Sequence, residues 1–248
     1  KIIKKPASAS RKSVPTNIID QYNYGLATEQ IELINMPILH EFGFRGKGVT
    51  MAIFDNGFRH VDTFPLFSHL WDEKRILGQF DIVEGDDNAI PHGGHGMAVL
   101  STIAALSSDT MTGAAPEAAF YLFRTEDNAS ETELEEYNWA RAAEIADSLG
   151  VDIINSSLGY SLFDDSTTSH TYADLDGKTT VVTRAANAAF RKGILVVNSA
   201  GNSGTRPWRY IIAPADGMYV LAIFQPRTKC CRTIKTKCKC RRCWCCRC

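Results

Sequence analysis

Short apolar runs alternate with amphipathic stretches along most of the chain, from Val49 onward. This alternation is typical of βαβ units, in which helices connect parallel strands and pack on the sheet. The apolar runs predict strands at residues 49–54, 119–123, 151–158 and 194–198. The last run is almost entirely apolar, as expected for a strand that helices cover on both faces. We therefore predict a three-layer α/β domain with a central, mostly parallel sheet flanked by helices.

Two amphipathic stretches predict helices on this sheet. In residues 130–149 the apolar positions recur at helical spacing, and Gly150 follows as a terminator. Ser130 and Glu133 have the spacing of a capping box, so we expect the helix to begin there. Residues 180–192 repeat the pattern and are again followed by a glycine. Both helices fit the βαβ pattern.

Basic residues and cysteines are concentrated at the C-terminal end. The chain has 27 Lys and Arg, 28 Asp and Glu, and a formal net charge of −1. Residues 227–248 hold nine of the basic residues, none of the acidic residues and all eight cysteines. Residues 1–226 therefore carry a formal charge of −10 and contain no cysteine, so disulfides do not stabilise this part of the chain.

The composition divides the chain into three segments. Residues 1–21 begin with a basic stretch rich in Ser and Pro, and we predict a linker or the remnant of a propeptide. Residues 22–226 form the α/β domain, and residues 227–248 form a tail rich in Cys, Lys and Arg. No apolar run approaches the roughly 20 residues of a membrane-spanning helix, and no signal peptide is visible after Lys1. We therefore predict no membrane span.

Asp55 and His95 are the first candidates for chemistry. Asp55 follows the first predicted strand, and reacting groups gather at the carboxyl ends of strands in open α/β sheets. A turn-capping role is the alternative, because Asn and Gly come next. His95 precedes apolar residues at helical spacing, so we predict that it begins a helix and faces outward. The positive end of the helix dipole disfavours a protonated imidazole there, which suits a general base.

His92 and Asn202 are further candidates. His92 is an alternative base, but the helix pattern begins at His95. A metal pair formed by these two histidines is a weaker alternative, because the local sequence has no third ligand. Asn202 lies in a glycine-flanked turn after a buried strand, where its amide can donate to an oxyanion. An ordinary loop residue in a left-handed conformation is the alternative.

The long loop at residues 160–178 carries several acidic residues. Their carboxylates are potential ligands for a structural Ca²⁺. They lack the regular spacing of calcium-binding loops, so solvated surface carboxylates are the favoured interpretation. We predict no metal ligands and no certain cofactor, with structural Ca²⁺ kept as an alternative.

Five segments, in this order along the chain, resemble sequence blocks of the subtilisin-like serine proteases. They are residues 46–57, with the strand and the Asp-x-Gly block; 95–105, with the His-Gly-Thr helix; 153–159, ending in Ser-Leu-Gly; 194–204, with Ala-Gly-Asn; and 214–224, with the Pro-Ala block. Asn56, Met97 and Ala98 depart from the common pattern beside the working residues. The resemblance runs over residues 22–224, and the chain looks like a bacterial member of the family.

The resemblance implies a role for each matching residue. Asp55 would orient the imidazole of His95, His95 would act as general base and then acid, and Asn202 would stabilise the oxyanion. Backbone groups at a strand edge would bind an extended peptide, and these are expected at Ser157, Leu158 and Gly159. The resemblance also implies peptide or protein substrates and a secreted or cell-envelope location.

The family's nucleophile has no counterpart in the sequence. In the family, the serine lies in a Gly-Thr-Ser-Met-Ala helix start after the Ala-Gly-Asn block, and the chain does not contain this motif. Ser203 is the only serine after Asn202, and it lacks the strand-turn-helix context of a nucleophile. We therefore expect a chain that lacks the catalytic serine and the last part of the fold, and that is inactive by the triad route.

The tail has three interpretations. A shift of reading frame near Phe224 would make residues 227–248 an out-of-frame translation, which their composition favours. A Cys-rich metal or disulfide module is the second, although the cysteines lack paired C-x-x-C spacing. Nucleic-acid binding by the basic residues is the third, but no folded platform accompanies them, so we predict no nucleic-acid partner.

The function predicted from the whole sequence is that of a subtilisin-type serine endopeptidase, represented by a chain without the serine. One alternative is a non-catalytic peptide-binding pseudoenzyme, and the other is a protein that binds metal through its Cys-rich tail. The sequence makes no prediction of the oligomeric state.

Overall fold

The computed structural model describes residues 23–107 and 110–224. The described chain forms a six-stranded sheet with helices on both faces and a separate two-stranded sheet. The predictions for residues 1–21 and 227–248 lie outside the described residues.

The helices and strands of the described ranges are short apart from α5. The strands are β1 (Thr50–Asp55), β2 (Ile76–Asp81), β3 (Leu106–Ser107), β4 (Met111–Thr112), β5 (Ala119–Arg124), β6 (Ile153–Ser156), β7 (Leu195–Ser199) and β8 (Val220–Ile223). The α-helices are α1 (Thr28–Leu33), α2 (Met36–Glu41), α3 (Ser68–Asp72), α4 (His95–Ala104), α5 (Leu134–Leu149) and α6 (Val181–Arg191). Single 3-10 turns occur at Pro65–Phe67, Tyr172–Asp174 and Ser203–Thr205.

Strand β1 lies inside the large sheet. The strand order is β2-β5-β1-β6-β7-β8, and every neighbouring pair is parallel. Asp55 at the end of β1 lies beside Arg124 in β5, and Phe54 lies beside Ser156 in β6. The predicted parallel sheet is confirmed, and the carboxyl ends of its central strands meet at one edge.

Alternate side chains of β1 enter the two hydrophobic layers. Ile53 packs on the side of α4 in a cluster that includes Leu100. Phe54 packs on the side of α5 and α6, where its ring meets the rings of Phe123 and Trp139 edge-on at centroid distances of 5.0 and 5.2 Å. Because both faces of the strand are covered, Asp55 ends in a buried position. The three-layer arrangement is confirmed.

The predicted start of α5 is wrong. Ser130 belongs to the preceding loop, and Glu133 precedes the helix without a side-chain cap. The carboxylate of Glu135 turns back instead and accepts hydrogen bonds from the backbone amides of Asp127, at 3.0 Å, and Thr132, at 3.3 Å. A residue inside the first turn therefore satisfies loop amides, which is why no capping box forms.

The other predicted ends agree better with the structure. Gly150 ends α5 in the left-handed conformation, with φ of 71°. Thr180 caps α6 by accepting a hydrogen bond from the amide of Thr183. Strand β6 is shorter than predicted and stops at Ser156, so the next three residues lie beyond the strand. Strand β2 at the edge of the sheet was not predicted.

Candidate active site

Asp55 and His95 form a hydrogen-bonded pair at the carboxyl edge of the sheet. The Nδ1 proton of His95 is donated to the Asp55 carboxylate, with distances of 2.8 Å to Oδ1 and 3.0 Å to Oδ2. Asp55 is fully buried, and the backbone amide of Asn56 donates to its Oδ1 at 2.8 Å. The His95 side chain is about half exposed. Nδ1 is thus held by the carboxylate, which leaves Nε2 as the basic atom of the ring.

Helix α4 brings His95 to the strand because a glycine follows the histidine. A Cβ at Gly96 would lie 2.5 Å from the backbone oxygen of Gly57 and 2.9 Å from the Cβ of Asp55. Only a residue without a side chain permits this approach. His95 is the first residue of α4, as predicted.

Asn56 ties three segments of the site together. Its Oδ1 accepts a hydrogen bond from the backbone amide of His95 at 3.2 Å, and its Nδ2 donates to Oδ1 of Asn128 at 2.9 Å. The sequence showed this residue only as a departure from the family pattern. Its side chain caps the start of α4 and joins it to the loop after β5.

The charge of Asp55 raises the pKa of His95 above its ordinary value. The hydrogen bond from the imidazole to the carboxylate is the main cause, and partial burial of the ring opposes it. This rise is opposite to the effect expected of the helix dipole, which disfavours a protonated ring. A full carboxylate charge 2.8 Å away outweighs the half charge at a helix end.

His92 lies at a different carboxylate. Its Nε2 is 3.3 Å from Oδ2 of Asp81, which also accepts a hydrogen bond from Arg124 at 2.7 Å. The structure therefore separates His92 from the Asp55 pair. Within residues 23–107 and 110–224, no group of three or more His, Cys, Asp or Glu residues has an arrangement suited to a metal ion.

The proposed peptide-binding residues follow β6, and only one of them reaches the His95 cavity. Leu158 lines the cavity beside His95, whereas Ser157 and Gly159 do not. The carbonyl oxygen of Leu158 accepts a hydrogen bond from Nδ2 of Asn198 at 2.9 Å, which fixes the segment to β7.

Asn202 is exposed in the turn after β7, and its side chain makes no cap for the 3-10 turn that follows. Its φ is −107°, so the left-handed conformation belongs to Gly201, with φ of 93°. A Cβ on Gly159 or on Gly201 would collide with Ile212, so both segments lie against this side chain. Asn202 does not line the cavity that His95 shares with Leu158. Ser203 begins the 3-10 turn and also lies outside that cavity.

An open cavity of about 400 Å³ adjoins the Asp55–His95 pair. Its lining consists of Asp55, Asn56, His95, Glu126, Asp127, Asn128, Ala129, Ser130, Glu131, Glu135, Leu158 and Asp164. The sequence did not indicate that these acidic residues belong to the site, because their position beside His95 depends on the fold.

Burial makes two of these carboxyl groups hard to ionise. Desolvation, with a smaller effect from the charge of Glu135, raises the pKa of Glu126 to about 8. Desolvation likewise raises the pKa of Glu135 to about 7, while hydrogen bonds from the amides of Asp127 and Thr132 oppose the shift. The hydroxyl of Tyr160 donates to Oε1 of Glu126 at 2.6 Å. The cavity therefore holds carboxyl groups that change charge near neutral pH.

In the site as a whole, a buried carboxylate at the end of a parallel strand is hydrogen-bonded to an imidazole beside an open cavity. The family model described as the subtilase family matches residues 46–227, and the chain belongs to this family. The resemblance seen in the sequence is confirmed.

Similar proteins include subtilases of bacteria. Subtilisin Savinase of Lederbergia lenta is 29% identical over 192 residues, which cover 75% of this chain and 61% of that protein. Alkaline elastase YaB of Bacillus sp. (strain YaB) is 31% identical over 193 residues, which cover 75% of this chain and 44% of that protein. The match thus spans less than two thirds of each relative.

A solved structure supports the fold. The MycP3 protease from the type VII (ESX-3) secretion system superposes with a TM-score of 0.60 at 22% identity, over 84% of this chain and 60% of MycP3.

Among the described helices, none is long and apolar enough to cross a membrane.

Proposed function

We propose that this protein is the Asp- and His-bearing part of a serine endopeptidase that hydrolyses peptide bonds. The observation that carries the proposal is the Asp55–His95 pair, buried on the carboxylate side and open to a cavity on the imidazole side. Membership of the subtilase family supports it.

Each residue has a defined task in the proposed mechanism. Asp55 holds the Nδ1 proton of His95, so that Nε2 accepts the proton of a nucleophilic serine and later gives it to the leaving amine. The raised pKa of His95 matches this task, because the carboxylate stabilises the imidazolium that forms. Asn202 donates its side-chain amide to the oxyanion, and its position in the Ala-Gly-Asn block of the subtilase family supports that role.

The peptide substrate binds as an added strand beside residues 157–159. Ser157, Leu158 and Gly159 continue from β6, and Leu158 is shared with the His95 cavity. Backbone hydrogen bonds would supply affinity, while side chains of the peptide enter adjoining cavities.

We propose further that the 248-residue polypeptide does not cleave peptides by the triad route. Its sequence contains no Gly-Thr-Ser-Met-Ala segment, and Ser203 begins a 3-10 turn outside the His95 cavity. Loss of one triad member leaves only a small residual rate. The purified polypeptide should show no casein hydrolysis that a serine-reactive inhibitor blocks, and clear inhibitor-sensitive hydrolysis would overturn this proposal.

The source DNA tests the proposed endopeptidase. Sequencing through the codons around Phe224 and translating every frame should find Gly-Thr-Ser-Met-Ala downstream, and the corresponding protein should hydrolyse casein. Its His95→Ala variant should lose about 10⁴-fold or more in kcat. Full activity in that variant would contradict the role of His95.

A non-catalytic peptide-binding protein is the second candidate. The observation that favours it is an intact cleft in a sequence without the nucleophile motif. Confirmation of the Cys-rich tail in the DNA, together with peptide binding but no hydrolysis, would select this function.

We also propose that the protein works outside the cytoplasm, in the cell envelope or the medium. The basis is the family alone. Fractionation of the source cells with an antibody to residues 23–107 checks the location, and a purely cytoplasmic signal would contradict it.

A further inference from the structure

We infer that the cavity beside His95 binds a basic side chain of the substrate peptide, and that Glu126, Glu131 and Asp164 determine this specificity. The inference rests on the proposed peptide-binding function and adds a substrate class to it. The favoured side chain is a lysine or an arginine close to the bond that faces His95.

The lining of the cavity is rich in acidic residues and contains no Lys or Arg. Six of its twelve residues are Asp or Glu, and none is Lys or Arg. The nearest candidate is Arg124, which pairs with Asp81 at 2.7 Å and reaches Asp127 only at 4.0 Å. Within the lining, His95 is the single side chain that can carry positive charge.

The carboxyl groups of the cavity lie at two depths, an inner level that is mostly buried and an outer level that is exposed. Glu135 is buried, and Glu126 is mostly buried against Tyr160 and Thr125. Oε1 of Glu126 accepts hydrogen bonds from both hydroxyls, whereas Oε2 accepts none from the described residues. Glu126 is neutral below its pKa of about 8, and a cation placed beside it favours the ionised carboxylate.

The outer level is formed by two exposed residues from different loops. Glu131 and Asp164 are held together because the amide of Glu131 donates to Asp164 Oδ2 at 3.0 Å and the amide of Asp164 donates to the carbonyl of Glu131 at 2.8 Å. The neighbouring charge of Asp164 adds to burial in raising the pKa of Glu131. Two like charges are thus fixed next to each other at the opening, which favours a positive ligand between them.

A long basic side chain suits this arrangement better than a compact ion. Its head can lie between carboxyl groups at different depths while its methylene stem packs on an apolar surface. Leu158 supplies that surface and belongs to the proposed peptide-binding segment. The approximately 400 Å³ of the cavity leaves room for such a side chain.

Peptide binding to the 248-residue polypeptide tests the inference without requiring catalysis. Fluorescent heptapeptides with a single lysine moved through each position would be compared with peptides that carry norleucine at the same position. Fluorescence anisotropy at about 150 mM salt limits long-range attraction to the negative domain. We expect the lysine peptide to bind at least about 10-fold more tightly at one position and equally at the distant positions.

Three variants identify the residues responsible. Glu126→Gln and the double variant Glu131→Gln, Asp164→Asn should each reduce the lysine preference about 5- to 10-fold and leave norleucine peptides unaffected. Glu144→Gln is the matched control, because this residue is 71% exposed on α5, outside the cavity, and pairs with Arg141. Circular dichroism of each variant verifies that it is folded.

The outcomes separate the inference from the proposed function. Equal binding of lysine and norleucine peptides would overturn the inference and leave the peptide-binding cleft supported. Failure of every peptide to bind would overturn both. Stoichiometric binding of Ca²⁺ that abolishes the lysine preference would identify a metal site instead and would also overturn the inference.

Discussion

The Asp55 carboxylate accepts hydrogen bonds from the imidazole of His95 and from the backbone amide of Asn56. It is fully buried, so its negative charge depends on these donors for stabilisation. The imidazole of His95, which is hydrogen-bonded to that carboxylate, lines the cavity and is half exposed. At the residue scale, the site consists of the buried Asp55 carboxylate and the accessible His95 imidazole that is hydrogen-bonded to it.

The residue pair gives a direct titration test. In Asp55→Asn the imidazole loses its negative partner, so the pKa of His95 should fall from its raised position. NMR titration of the His95 ring protons measures the change. Asp62→Asn is the control, since this residue is exposed, and it should leave the His95 pKa unchanged. A His95 pKa that stays raised in Asp55→Asn would show that Asp55 is not its cause.

Glu126 gives a test through stability. Its pKa is about 8 in the folded protein and about 4.5 in the unfolded chain, so the folded state binds more protons between these pH values. The free energy of unfolding should therefore fall as pH rises from about 4.5 to 8. Glu126→Gln should remove this part of the pH dependence and stabilise the protein at pH 9 by on the order of 2 kcal/mol, a figure reduced for the open cavity.

Urea unfolding from pH 5 to 9 checks this expectation for Glu126. Glu144→Gln, an exposed change of the same kind, should follow the unmodified protein. Parallel curves for the unmodified protein and Glu126→Gln would contradict the buried, protonated state of Glu126.

At the scale of elements, the position of α4 on β1 depends on close backbone contact at Gly96. The helix carries His95 as its first residue, so a small displacement of the helix moves the imidazole from Asp55. The packing of α4 on β1 and the hydrogen bond between His95 and Asp55 therefore depend on the same contact at Gly96.

Gly96→Ala tests that coupling. The added Cβ would meet the oxygen of Gly57 and the Cβ of Asp55, so we expect a loss of about 1–3 kcal/mol in stability. The His95 pKa should also fall toward its ordinary value as the hydrogen bond lengthens. Gly94→Ala is the matched control two residues earlier, where a Cβ meets no atom within 4 Å and φ is negative.

Thermal unfolding and NMR titration measure the two effects. Equal stability and an equal His95 pKa in Gly96→Ala and Gly94→Ala would show that the close contact is not required.

The accuracy of the sequence predictions also varies by element. β1 and β5 were found because their apolar runs are largely buried, and β7 was found because its run is apolar, although Leu195 is exposed. β2 was missed, since this edge strand is half exposed and contains Gly78 and Gln79, so its hydrophobic pattern is weak. The start of α5 was misplaced because Glu135 holds the preceding loop from inside the helix.

At the scale of the whole molecule, the sequence placed the Asp55–His95 pair but not its surroundings. Sequence motifs in a fixed order identify single residues. The acidic lining of the cavity instead depends on contact between the loop after β6, with Asp164, and the loop after β5, with Glu131. Glu131 and Asp164 meet through one hydrogen bond between backbone groups and one from a backbone amide to the Asp164 carboxylate, and no local pattern encodes either. The negative charge of residues 1–226 was visible from composition, but its concentration beside His95 was not.

The position of β1 between β5 and β6 also determines when the Asp55–His95 pair forms during folding. Asp55 and His95 precede β5 and β6 in the sequence, yet β1 pairs with both of these later strands. Closing these long loops is slow compared with forming local helices. A nascent or locally unfolded chain therefore carries both residues without the desolvated carboxylate that sets their chemistry. The buried, hydrogen-bonded arrangement of the two residues is in this way confined to the folded domain.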